Sequence, residues 1–395
     1  MPTTRLERLH SLDALRATMM LLGLVLHSAV SYITTPLGAA WPYKDPQTSV
    51  LLDLVVFFIH LFRMPAFFVV AGLFGALLLC REGRGGFVRN RGRRVLIPLV
   101  MFWAVMMPLC GYGFVFSLRQ VGGEMPWEYM TDRPILRQPL LGHLWFLYYL
   151  LLFYAAALVV MPLAARVPAA LRERADAAFR AIVTTNWGVA VMGAITAVSL
   201  IPMTAPGLDT EPALLPPVRV LAAYGIFFGF GWLLFRHHDL LPSFADRWKP
   251  MLIAGATAGA AYLFVAIRQP LFTDARAWHL TAIALAGPAT WLVIFGLLGL
   301  AVRYLSAPRP LVRYFSDASY WMYLTHLAPA AWLPGVFAHF QVPAVVKFLM
   351  VFALTTIVTT VSYHYFVRST GMGELLNGRR YPRAGERIAS NVSPA

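Results

Sequence analysis

"LDALRATMMLLGLVLHSAVSY", Leu12 to Tyr32, has the length and apolar character of a membrane span, yet it carries Asp13, Arg16 and His27. A crossing takes about 20 mostly apolar residues, because each helical residue rises about 1.5 Å through roughly 30 Å of hydrocarbon. Ionisable groups within such a segment are costly, and they usually face protein or a cavity. Arg16 and His27 are eleven residues apart, almost three helical turns. They therefore share a face, separated by roughly 16 Å along the axis. Asp13, Met20 and Gly23 fall on or near the same stripe, and Gly23 leaves room in its middle for a narrow ligand or a close neighbour. The stretch is too long for a secretory signal core and is interrupted by Arg16, so it reads as a retained span.

The rest of the chain agrees with a membrane reading. Of 395 residues 59% are hydrophobic and only 13% charged, about half the charge of an ordinary soluble domain. The mean hydropathy is +0.64. The net charge of +15 does not point to nucleic acid, because nearly all Lys and Arg sit in short connectors between apolar runs. Cys80 and Cys110 lie at opposite ends of consecutive apolar segments and imply neither a disulfide framework nor a metal site.

Ten spans are expected, near 13–34, 52–79, 95–117, 143–162, 187–205, 217–235, 250–268, 278–302, 315–337 and 345–367. The connector "REGRGGFVRNRGRR", Arg81 to Arg94, has six Arg against one Glu. Arg303, Arg309 and Arg313 surround the connector before the ninth span, and Arg379, Arg380, Arg383 and Arg387 follow the tenth. The alternate connectors "PLGAAWPYKDPQT" and "APGLDTEPALLPP" are balanced or acidic. With ten spans every strongly basic connector falls on one side, which places both termini in the cytoplasm. The expected fold is an all-α polytopic helix bundle: one membrane domain over residues 1–368, then a flexible basic cytoplasmic tail over 369–395.

Several blocks along the chain resemble the acyltransferase-3 family of integral membrane acyltransferases. The opening "LD-x-x-R", followed by ten residues and then His27, is similar to that family's first span. "FFIHLFRMPAFFVVAGLF" looks like its second-span motif, with Ala71 where many members have Ser before the glycine. "VRNRGRRVLIPLV" resembles its basic loop, and "HLWFLYYLLLFY" and "SDASYWMYLTHLAP" resemble its later blocks. The resemblance implies a bacterial inner-membrane enzyme. Such an enzyme moves an acyl group, with succinyl favoured, from cytoplasmic acyl-CoA to a hydroxyl of an extracytoplasmic glycan such as an osmoregulated periplasmic glucan. Acetyl or other acyl transfer to lipopolysaccharide, exopolysaccharide or a small metabolite is the alternative within the class. A non-enzymatic transporter is the alternative outside it, but no paired broken helices are apparent in the two halves. The acyl-CoA enters as substrate, and no permanently bound cofactor is implied.

Within that chemistry His27 is the candidate general base, since an imidazole can take a hydroxyl proton and return it to a leaving thiolate. Arg16 would hold the donor lower in the same groove, with Asp13 orienting it, so that both ends of the stripe look into one space. An interfacial Asp13–Arg16 pair with a snorkelling Arg16 is the competing structural reading. On the second span Asp53, His60 and Arg63 lie at spacings of seven and three and share a face. Arg63 would stabilise the thioester oxyanion or take the free carboxylate of a succinyl group; Asp53 and His60 would line the cavity. Arg91 and Arg94 in the basic loop are candidates for the CoA phosphates, against the plainer role of anchoring to anionic lipid. His143 and Trp145 open the fourth span as candidate acceptor contacts. Ser319, Tyr323 and His326 share a wall of the ninth, with His326 a candidate catalytic group and a hydrogen-bonded structural His the competing reading.

Overall fold

The computed structural model describes residues 10–126, 134–268 and 274–382, and among these no strand occurs. The helices are α1 (His10–Ala29), α2 (Val50–Arg91), α3 (Ile97–Gln120), α4 (Trp145–Ala164) and α5 (Ala169–Thr184). Next come α6 (Trp187–Leu200), α7 (Val218–Arg236), the short α8 (Leu241–Ala245), α9 (Trp248–Ala266) and α10 (Ala275–Tyr304). The last are α11 (Pro310–Thr325), α12 (Leu327–Val336), α13 (Ala344–Ser362) and α14 (Gly371–Asn377). This is an all-α membrane bundle.

Seven helices among the described residues are long and apolar enough to span a bilayer, or eight if α5 and α6, bent by 107°, count as one crossing. The shortfall from ten has two local causes. Residues 50–120 run as one helical stretch, but Gly83, at φ 66 and ψ −177, breaks it between the second and third expected spans. Only glycine adopts that backbone conformation at low cost. The ninth expected span is divided at His326 into α11 and α12, each too short to qualify alone. Helix α5 has no counterpart among the expected spans. Only Phe179 and Val183 of it are buried, and Asp176 and Arg180 pair with Arg236 and Asp239, so no hydropathy window reveals it.

In a bilayer, helices associate through close packing rather than through burial of apolar surface from water. The α2–α7 contact shows how. A Cβ on Gly72 would overlap the carbonyl of Phe228, and one on Gly231 would overlap that of Val69, so the two backbones touch where neither residue has a side chain. Helix α10 packs against α9, α6 and α8, with Trp291 and Phe295 meeting Phe227, Phe230 and Phe244. Helix α1 lies among α2, α10, α11 and α13, which puts its polar stripe inside protein rather than in lipid.

The segment after Arg368, expected to be flexible, is folded in its described part. Helix α14 packs on α11, and Tyr381 donates from its backbone N–H to Arg368 at 3.1 Å. Arg383 and Arg387 lie outside the described residues.

Candidate functional site

The polar stripe of α1 ends in a histidine pair. His27 Nδ1 lies 2.7 Å from His326 Nε2, and the two rings are nearly parallel. His326 is buried, and its Nδ1 lies 2.7 Å from the carbonyl of Tyr323 and 3.1 Å from that of Met322. A carbonyl only accepts, so Nδ1 of His326 carries the hydrogen and Nε2 of the neutral ring is an acceptor. His27 must then donate through Nδ1, which leaves its Nε2 with a lone pair. Helix α11 ends at this point, and the carbonyls of its last turn fix the tautomer of both rings. His27 is half-buried, so it is the member of the pair that a substrate can reach.

Two further groups complete the cluster. Trp41, in the loop after α1, stacks on His27 with centroids 5.7 Å apart, and its indole N–H donates to Ser31 at 2.9 Å. Arg63 of α2 lays its guanidinium across α1 at Gly23, one helical turn from His27. A Cβ on that glycine would stand 2.5 Å from Arg63 Nη1. Among the described residues no carboxylate lies within ion-pair distance of Arg63, and its hydrogen bond goes to the sulfur of Met64 at 3.1 Å. A half-buried cation without a counter-ion beside a lone-pair imidazole can bind an anion or stabilise an oxyanion.

At the other end of the stripe lies a cavity of about 460 Å³, lined by Arg16, Arg91, Arg94 and Arg379 among apolar and aromatic groups. Asp13 sits 3.3 Å from Arg16, and Arg16 lies over the Phe74 ring. Arg91 donates to Tyr154 at 3.3 Å and covers its ring, while Tyr320 donates to the carbonyl of Arg94 at 2.8 Å. The Nε atoms of Arg16, Arg91 and Arg379 are buried without a hydrogen-bond partner. This cavity reaches Met20 on α1, and His27 is not among its lining residues. On α1 the lining of this cavity stops at Met20, and Arg63 lies over the turn between it and His27.

The remaining expected residues divide. His143 belongs to the cluster: its ring meets His326 at 5.4 Å, Nε2 is 3.1 Å from the carbonyl of Leu324, and Nδ1 is buried without a partner. Tyr323 donates to the backbone carbonyl of His143 at 2.8 Å, so it braces that residue. Asp53 is engaged away from the histidine cluster. Its carboxylate accepts from Thr34 N–H, Thr34 hydroxyl and Thr35 N–H at 2.7, 2.8 and 3.0 Å, which ties down the loop leaving α1. His60 turns to the carbonyl of Leu208 at 3.3 Å, beside a separate small cavity with Thr196 and Thr290. Trp145 packs among Phe68, Tyr149 and Tyr224, and Ser319, wholly buried, donates to Ser316. Trp41, Asp317 and Arg379 were not anticipated. Of these only Asp317, a carboxylate inside an apolar block, carried a signal in the sequence.

The acyltransferase domain family matches residues 9–364. Glucans biosynthesis protein C of Salmonella paratyphi A, Salmonella agona and Salmonella heidelberg is 26% identical to the chain over 326 residues, covering 81% of either sequence. No solved structure matches the chain. A family match across nearly the whole chain, on a bundle of long apolar helices, identifies it as a multi-pass membrane acyltransferase of the acyltransferase-3 family.

Proposed function

We propose that the protein transfers a succinyl group from succinyl-CoA to a hydroxyl of a periplasmic glucan, in a bacterial inner membrane with its arginine-lined end facing the cytoplasm. The single observation that carries this reading is Arg63, a cation with no carboxylate partner among the described residues, one turn from His27 on the same face of α1. A succinyl thioester differs from an acetyl thioester by a free carboxylate, which the planar fork of a guanidinium binds with two parallel hydrogen bonds. The name of the similar Salmonella proteins supports a glucan acceptor. The basic connectors support the orientation.

In this scheme the donor enters from the arginine-lined cavity, with its phosphates on Arg16, Arg91 and Arg94 and its thioester directed toward Gly23. The lone pair of His27 Nε2 takes the proton of the glucan hydroxyl. The hydroxyl oxygen bonds to the thioester carbonyl carbon, the carbon–sulfur bond breaks, and the proton passes from His27 to the departing thiolate. The products are a succinyl ester and free CoA. His326 keeps Nε2 of His27 unprotonated before the reaction by accepting from Nδ1.

The test uses full-length protein in lipid nanodiscs, labelled succinyl-CoA or acetyl-CoA, and a purified periplasmic glucan. Label should appear on the glucan with wild-type protein, and Arg63→Lys should lower succinyl transfer more than acetyl transfer. Equal loss for the two donors would remove the carboxylate role of Arg63, and an unlabelled glucan would remove the acceptor.

A further inference from the structure

The cavity at the arginine end has a wall that the family domain does not supply. That domain ends at residue 364, and the segment 371–382 continues past it. Leu376, Asn377, Gly378 and Arg379 of this segment line the cavity. A single acidic residue of α11 docks them. Asp317 pairs with Arg379, its carboxylate accepts from Tyr381 Oη at 2.6 Å, and its backbone carbonyl accepts from Asn377 Nδ2 at 3.0 Å. Gly378 sits at φ 70, and a Cβ there would overlap the guanidinium of Arg94, so the turn both needs glycine and rests on an arginine of the cavity. On the far side of that contact a second cavity, of about 500 Å³, shares Arg94 and Gly378 and adds Arg89 and Arg93.

We propose that this C-terminal strap is part of the donor site, and that Arg379 recognises the phosphate end of the acyl donor where the two cavities meet. The inference rests on the acyl-CoA reading above. The inner cavity presents four guanidinium groups against two carboxylates, Asp13 and Asp317. Arg379 spends one edge of its fork on Asp317, and like Arg16 and Arg91 it has a buried Nε with no partner. Three guanidinium groups lining one space suit a polyanion bearing several phosphate oxygens, and guanidinium binds phosphate with two donors at once. A CoA thioester is also long, and it carries phosphates in two places, a pyrophosphate and a ribose phosphate. With its pantetheine arm along α1 toward Gly23, those phosphates fall at the strap and at Arg94, while the nucleotide reaches the outer cavity. The strap thus holds the charged end of the donor and has no part in bond making.

The experiment is titration of full-length protein in neutral-lipid nanodiscs with CoA and, separately, with pantetheine, which lacks every phosphate. Arg379→Ala should weaken CoA binding by about tenfold, the worth of a charge-assisted contact, and leave pantetheine binding unchanged. Arg379→Lys should fall between the two. Arg380→Ala removes the neighbouring charge, whose Nε donates to Ser369, and should change neither ligand. Melting temperature establishes that each variant is folded. If Arg379→Ala binds CoA as wild type does, or loses CoA and pantetheine alike, the strap is only a structural cover and the inference falls. If wild-type protein itself binds no CoA, it is the acyl-CoA reading that falls.

Discussion

Gly23→Ala is the sharpest perturbation available, because it adds one methyl group and its consequence depends on a single contact. That methyl would stand 2.5 Å from Arg63 Nη1, 3.5 Å from Cζ and 3.9 Å from Nη2. An ordinary heavy-atom contact is about 3.5 Å or more, so the guanidinium must retreat by about 1 Å. The atom that yields is the far end of a flexible side chain, so the helices need not separate. Alanine also suits a helix interior better than glycine, by up to about 1 kcal/mol. Stability should therefore hold or rise slightly. Activity should not, since displacing a positioning group by 1 Å costs on the order of 10²-fold, equivalent to about 2.7 kcal/mol of barrier. The assay is steady-state acyl transfer in nanodiscs alongside thermal unfolding. A variant with full activity would refute the placement of Arg63 in the reaction, and one that loses activity only because it unfolds would refute the claim that the clash is local.

Other outcomes follow from the same contacts. Asp53→Ala removes the acceptor for three donors of the loop after α1, so it should destabilise by roughly 2–4 kcal/mol, read as a fall in melting temperature. Activity per folded molecule should be largely kept, whereas a catalytic deficit at full stability would restore Asp53 to the site. Lys347→Met strands the buried carboxylate of Asp45, which it contacts at 2.9 and 3.1 Å, and should cost about 3–5 kcal/mol. The double variant Lys347→Met with Asp45→Asn should recover a good part of that loss in the same unfolding measurement; no recovery would mean that packing, not the stranded charge, sets the cost.

The parts of the site legible in the sequence are those set by spacing along one helix. Asp13, Arg16, Gly23 and His27 share a face of α1 because the α-helical period puts them there, and Asp13 does pair with Arg16. What lies against that face depends on the rotation and depth of neighbouring helices, which no local pattern encodes. The opening at Gly23 was legible, but its occupant was not: Arg63 belongs to a different helix, and the same helix face that carries it also carries Asp53 and His60, which turn elsewhere. His326 shows both sides of this. Its place in an apolar block marked it for attention, while its bond to His27 joins residues 299 positions apart. The tail after Arg368 reads as mobile because it is rich in Gly, Arg and Ser, and the docking of the strap within it depends on one buried carboxylate rather than on an apolar stripe. The span count suffered in the same way. At His326 the ninth span divides within an apolar stretch where hydropathy marks no boundary, whereas the break at Gly83 falls inside the basic connector already placed between the second and third expected spans.

The most direct measurement is single-turnover acyl transfer by His27→Gln in nanodiscs, with the acyl donor saturating. Glutamine is polar and of similar reach, but it cannot take the hydroxyl proton, so the rate should fall by 10²- to 10⁴-fold, with donor binding and melting temperature unchanged. A His27→Gln protein that still transfers within tenfold of wild type would contradict the assignment of His27 as the base.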